Sequence, residues 1–69
     1  MTIELTNAQR ETLEFIREFT RENGYPPTHV EIGRRFSIWP NAAQCRLKTL
    51  VKKHAIVIDI ATARGIRLV

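Results

Sequence analysis

The sequence predicts a mainly α (α+β) fold, three helices followed by a two-stranded β-hairpin, and three observations carry that expectation. Two capping signatures, Thr6 with Gln9 and Thr28 with Glu31, each stand before an amphipathic run. A third apolar-periodic run opens on Pro40, a residue suited to the first helical position because its missing N–H would be unpaired there anyway. After His54 the apolar period shortens from about 3.6 residues to about 2, the change from helix to strand.

The first helix is expected from about Thr6 to Asn23. Leu13, Ile16 and Phe19, with Phe15 beside them, form one apolar stripe, while Glu14 and Glu18 lie across from it. Asn23-Gly24 closes the helix, since glycine tolerates the left-handed conformation, and Tyr25-Pro26-Pro27 keeps the chain extended afterwards. The second helix, about Thr28 to Phe36, buries Ile32 and Phe36, with Pro27 placed to staple onto Ile32. Gly33 in its middle costs about 1 kcal/mol relative to alanine, which implies close approach of a neighbouring helix. A break at Ser37-Ile38-Trp39 precedes the third helix, Pro40 to Lys53. Ala43, Leu47, Leu50 and Val51 form its apolar side, so Asn41, Cys45, Lys48 and Lys52 face away, with Ala42 and Thr49 on one flank and Gln44 on the other. Ile56, Ile58 and Ile60, then Ile66 and Leu68, alternate as two strands joined by Ala61-Thr62-Ala63-Arg64-Gly65.

Composition narrows the function classes. Sixty-nine residues at 43% hydrophobic content allow a single domain, residues 1–69, with one small core. The lone Cys45 has no partner for a disulfide or a structural zinc site, which favours a reduced cytoplasmic setting. No apolar run approaches the ~18 residues that cross a bilayer, so no membrane role is expected. His29 and His54 do not cluster with Cys45 at a metal-binding spacing, and Ser37 has no evident base. No metal, cofactor, small-molecule ligand or catalysis is expected.

Charge supplies the positive clue. Residues 1–31 hold three bases against six acids, a net −3, whereas residues 32–69 hold eight bases against Asp59 alone, a net +7. A basic half suits a polyanionic partner. Two short helices joined by a few residues, followed by a hairpin, make a winged helix-turn-helix, and a B-DNA major groove ~12 Å wide admits one helix. Asparagine and glutamine donate and accept at once, as the adenine edge requires, and lysines a turn or two later neutralise phosphates.

The strings "GYPPTHVEIGRRF", "PNAAQCRLKTL" and "ARGIRLV" together resemble the N-terminal DNA-binding domain of the LexA repressor family over nearly the whole chain. The resemblance implies a third helix that enters the major groove of a palindromic operator, bound by a homodimer that blocks transcription in the bacterial SOS response to DNA damage. On it, Asn41 and Ala42 match the base-reading start, joined by Gln44 and Cys45. Backbone contacts are expected from Arg34, Arg35, Lys48, Lys52, Lys53 and Trp39, although packing under the turn is the stronger expectation for Trp39. Arg46 is a weaker candidate for the same role. Arg64 at the ribbon tip is the expected wing contact to the minor groove or its phosphates. The chain departs from the family where two acidic residues are replaced by Gln44 and Cys45, where a capping serine is replaced by Trp39 in a loop one residue shorter, and where a helix-closing glycine is replaced by His54. The family continues into a self-cleaving peptidase domain with a serine and lysine pair, and these residues hold none of it. The competing expectation is a winged domain used for protein interaction, its acidic first-helix face docking a basic partner.

Overall fold

The structure, a computed structural model, describes residues 4–59 and 64–69. Its elements are α1 (Asn7–Asn23), α2 (His29–Phe36), α3 (Pro40–Lys52), β1 (Ile56–Ile58) and β2 (Ile66–Leu68). The strands pair antiparallel with Ile56 opposite Leu68, Val57 opposite Arg67 and Ile58 opposite Ile66. Ile60 and the loop residues 61–63, expected to continue the hairpin, lie outside the described residues. No helix of the described residues is long and apolar enough to cross a membrane.

Both predicted capping boxes form. The Gln9 N–H donates to Thr6 Oγ1 at 3.2 Å and the Thr6 N–H to Gln9 Oε1 at 2.9 Å. Thr28 and Glu31 repeat the exchange at 3.2 and 2.8 Å. Each box satisfies two N–H groups that the helix start would leave unpaired. The residues on either side of the second box, Pro27 and Ile32, are both fully buried, as a staple requires.

All three helices close through a left-handed residue, and only one of the three is glycine. Gly24 (φ 79°) donates to Thr20 O at 2.8 Å. At the end of α2, Ser37 (φ 55°) donates to Arg34 O and the Ile38 N–H reaches Gly33 O at 2.9 Å. At the end of α3, His54 (φ 60°) donates to Val51 O and Ala55 to Leu50 O, both at 3.0 Å. The last two are Schellman closures, so the motif persists with side chains that pay steric strain for it.

The core is a single cluster in which α1 gives Leu13 and Ile16, α2 gives Ile32, and α3 gives Ala43, Leu47 and Leu50. Ala55, Ile56 and Ile66 attach the ribbon to it. Phe15 and Phe36 cover its edge, their rings edge-to-face at 5.8 Å. Three sequence expectations about the core need correction, the first being Phe36, expected on the buried side of α2 and only partly buried at the core's edge. Val51 is 37% exposed, so the apolar side of α3 narrows to Ala43, Leu47 and Leu50. Gly33 is required by the turn and not by the body of a neighbouring helix: a Cβ there would lie 2.8 Å from the Ile38 carbonyl oxygen and 3.7 Å from Pro40 N.

Two substitutions separate these effects in urea unfolding. Gly33→Ala should lower stability by about 1–2 kcal/mol, because displacing backbone in a packed turn outweighs the better helix propensity of alanine. His54→Gly should raise it by about 0.5–1 kcal/mol by relieving the left-handed strain. A Gly33→Ala midpoint at or above that of the parent would show that the turn yields freely.

Candidate nucleic-acid interface

With Ala43, Leu47 and Leu50 turned inward, α3 exposes Asn41, Ala42, Gln44, Cys45, Lys48 and Lys52. Asn41, Cys45, Lys48 and Lys52 advance by three or four residues and so line one face. That face is uncharged over its first turns, cationic over its last, and α3 contains no acidic residue at all. Lys53, the C-cap residue, is exposed at the same end.

Trp39 is 82% exposed, which overturns the expectation that it packs under the turn. The cause is local: the left-handed Ser37 and the contact of Ile38 with Gly33 direct Ile38, not Trp39, against the core. As N-cap residue of α3, Trp39 offers no side-chain acceptor to the helix start, unlike Thr6 and Thr28.

The arginines divide. Arg34 is exposed in the last turn of α2. Arg35 instead lies over the Phe36 ring at 5.2 Å and near Phe15 at 6.0 Å, in a shallow cleft shared with Glu11, Glu14 and Glu18 of α1. Arg46 turns inward, donating to Thr12 Oγ1 at 3.3 Å and covering the Phe36 ring at 5.3 Å. Fully buried Thr12, which the sequence did not single out, anchors it and also donates to Ala8 O at 2.8 Å.

Arg64 is also engaged within the molecule. Its Nη1 donates to Glu31 Oε1 at 2.7 Å and to Pro26 O at 2.9 Å, Nη2 donates to Glu31 Oε2 at 3.4 Å, and the guanidinium sits 4.5 Å from the centre of the Tyr25 ring. The hydrogen bond from Arg64, then that from the Thr28 N–H, holds the Glu31 carboxyl below its ordinary pKa. Glu31 and Tyr25 therefore join the set of consequential residues. The capping role of Glu31 was legible, whereas its pairing across 33 positions had no local signal.

Beside the exposed face, an open apolar cleft of about 1120 Å³ runs between the start of α2, α3 and β1. Val30, Leu47, Val51 and Val57 line it, with Gln44, Lys48 and Lys52 at its border with the α3 face. Among the described residues, no group of three His, Cys, Asp or Glu side chains is arranged to hold a metal ion.

Residues 2–65 match the family described as the LexA DNA binding domain. A LexA repressor of Marinomonas sp. (strain MWYL1) is 53% identical over 68 residues, covering 97% of this chain and 33% of that protein. A LexA repressor of Dechloromonas aromatica (strain RCB) is 48% identical over 68 residues, covering 97% and 34%. Another, from Aromatoleum aromaticum, is 50% identical over 66 residues, covering 94% and 32%. The chain thus spans about a third of the length of the curated relatives it matches.

The Glu31 pair makes a prediction with a definite sign. A carboxyl whose folded-state pKa is depressed contributes stability above its unfolded value, about 4.3 for glutamate, and loses it as pH falls through the folded value. The Glu31 carboxyl carbon shift should therefore stay constant from pH 8 to pH 5 and move only at lower pH. A transition centred above pH 5 would contradict the pairing.

Proposed function

The chain belongs to the LexA DNA-binding-domain family, and from that premise we propose that it reads a specific double-stranded DNA sequence through α3 and represses transcription by doing so. The observation that carries the proposal is the exposed face of α3, which runs from amide and small side chains to lysines without one acidic interruption. A helix of that pattern suits the major groove: its leading residues meet base edges, and its cationic end meets the phosphates that border the groove.

Asn41 and Gln44 are the donors and acceptors for base edges, and Ala42 and Cys45 present small surfaces to thymine methyl groups. Lys48, Lys52 and Lys53, with Arg34 from α2, neutralise phosphates. Trp39 lies against the sugar-phosphate backbone beside the reading turn, a use consistent with its exposure. Arg35 is the weakest of the assigned backbone contacts, since its guanidinium is drawn toward Phe36 and the acids of α1. One module touches few bases, so a homodimer on a palindromic operator with half-sites about one helical turn apart is the assembly that gives useful affinity. A role in the damage-induced SOS response, in the bacterial cytoplasm, is what the resemblance to the LexA family implies. The match is confined to the DNA-binding part of those relatives, and no catalysis is assigned to this chain.

The apolar cleft between α3 and β1 favours one competing reading, a winged module that binds protein. Salt separates the two. A DNA reader loses log affinity linearly with log salt, at about −0.9 per phosphate neutralised, and prefers one duplex among scrambled competitors. A flat salt response without duplex preference would sink the DNA assignment. Selection from a random duplex pool supplies the preferred site and shows whether it is symmetric.

Once that duplex is known, titration should distinguish the roles. Asn41→Ala should reduce preference for it over random DNA by about 1–3 kcal/mol, whereas Lys52→Ala should weaken both alike and make the salt slope shallower by about 0.9. Equal losses of preference in the two variants would contradict the division of labour. Trp39, the sole tryptophan, provides an internal reporter: its emission should become protected from acrylamide when the selected duplex binds, and undiminished quenching would remove it from the interface.

A further inference from the structure

We propose that Arg64 is a positioning residue that locks the ribbon to the start of α2 and so sets the angle between the ribbon and α3. The proposal rests on the DNA-reading function above, and it assigns Arg64 a different task from the direct DNA contact that its place in the ribbon suggests.

The ribbon needs such a lock. Each strand is three residues long, and a two-stranded hairpin is marginal on its own in water. One end is fixed to α3 through the Ala55 N–H on Leu50 O at 3.0 Å, and the Val69 N–H on Ala55 O at 3.4 Å extends the strand pairing to that point. At the other end the pairing continues to the Asp59 N–H on Gly65 O at 2.9 Å. There, Arg64 crosses from the ribbon to another part of the fold.

Its partners are specific. Glu31 accepts from both terminal nitrogens of the one guanidinium, Pro26 O accepts from Nη1 as well, and Tyr25 supplies a ring face. Glu31 Oε1 also accepts the Thr28 N–H at 2.8 Å, so the lock engages the capping box that starts α2. Since α2 packs on α3 and β1 also packs on α3, tying β2 to α2 closes a ring of three elements. Without the lock the far end is held only by the packing of Ile58 and Ile66 against the core, and a ribbon that shifts on that packing presents its surface to the DNA flank only part of the time.

Glu31→Gln is the informative variant because glutamine also completes a capping box, which leaves the start of α2 intact while removing the ion pair. Arg64→Lys keeps the charge but loses the two-pronged geometry. On the selected duplex, Glu31→Gln and Arg64→Lys should each weaken binding about 3- to 30-fold, and the double variant should be no weaker than either single one, as for groups in one network. Thermal midpoints should stay close to that of the parent, and the salt slope of each variant should be unchanged. If Arg64 instead contacts phosphate, Arg64→Lys and Glu31→Gln should bind like the parent while Arg64→Ala loses affinity with a slope shallower by about 0.9; that pattern would overturn the proposal. Residual dipolar couplings without DNA test the lock separately from the DNA-reading function: α2 and β2 should share one alignment tensor in the parent and lose it in Glu31→Gln. A shared tensor in that variant would also overturn the proposal, whatever the chain binds.

Discussion

The fold turns on how closely the backbone at Ile38 can approach Gly33. The chain leaves α2 through left-handed Ser37, returns the Ile38 N–H to Gly33 O, and brings the Ile38 carbonyl into the space a Cβ at position 33 would fill. Only then can Pro40 start α3 three residues after Ser37, at an angle that sets Ala43 and Leu47 against Ile32. The same turn decides what α3 shows to solvent. Had Ile38 been held away from α2, the burial of Ala43 would fail and the helix would rotate as a body, turning Asn41, Cys45, Lys48 and Lys52 together away from their present direction.

Elements with local causes were legible in the sequence. Both capping boxes, the three helix bodies, the first glycine closure and the presence of two strands after α3 follow from short-range pattern, whereas the register that sets Ile58 opposite Ile66 does not. The polarity of the α3 face was legible too, because helical period alone sorts residues 41 to 52 into inner and outer sets. What escaped depended on contacts distant in sequence or on the choice between two turn conformations. Trp39 and Ile38 are neighbouring large apolar residues, and nothing in composition says which one the turn buries. The structure packs Ile38, partly buried, against the core and leaves Trp39 outside because the Schellman closure at Ser37 aims the following residue at the core.

Arginine is where sequence reading is least reliable in this molecule, and the reason is physical. A guanidinium is an ion, a planar donor and a stacking surface at once, so the same residue type serves a phosphate, a carboxylate or an aromatic ring. Arg34, Arg35, Arg46 and Arg64 all count as positive charge in the basic half, yet Arg46 covers Phe36 and donates to buried Thr12, Arg35 leans toward the acidic side of α1, and Arg64 binds Glu31. The charge asymmetry between the two halves of the chain overstates what is free for a polyanion. Lysines 48, 52 and 53, all exposed, carry the more dependable part of it.

The departures from the family pattern then fall into two groups with different consequences. His54 replaces a glycine at a position that needs a positive φ, and the structure keeps the closure with His54 at φ 60°, both Schellman hydrogen bonds intact. That change is absorbed by the backbone at a local energetic cost. Trp39, Gln44 and Cys45 differ in kind, since each is exposed and none supports the core. Two acidic side chains on a surface facing phosphates would repel most of the duplex and tolerate only base edges that offer donors, as cytosine and adenine do through their amino groups. On the proposed reading, replacing them with an amide and a thiol would remove the repulsion and relax that demand, and an exposed indole ahead of the helix would add contact area at the groove edge. The turn at Gly33 sets the scaffold, and Trp39, Gln44 and Cys45 lie outside it on the surface proposed to read bases, so on that proposal these departures from the family pattern would alter the operator selected and leave the fold unchanged.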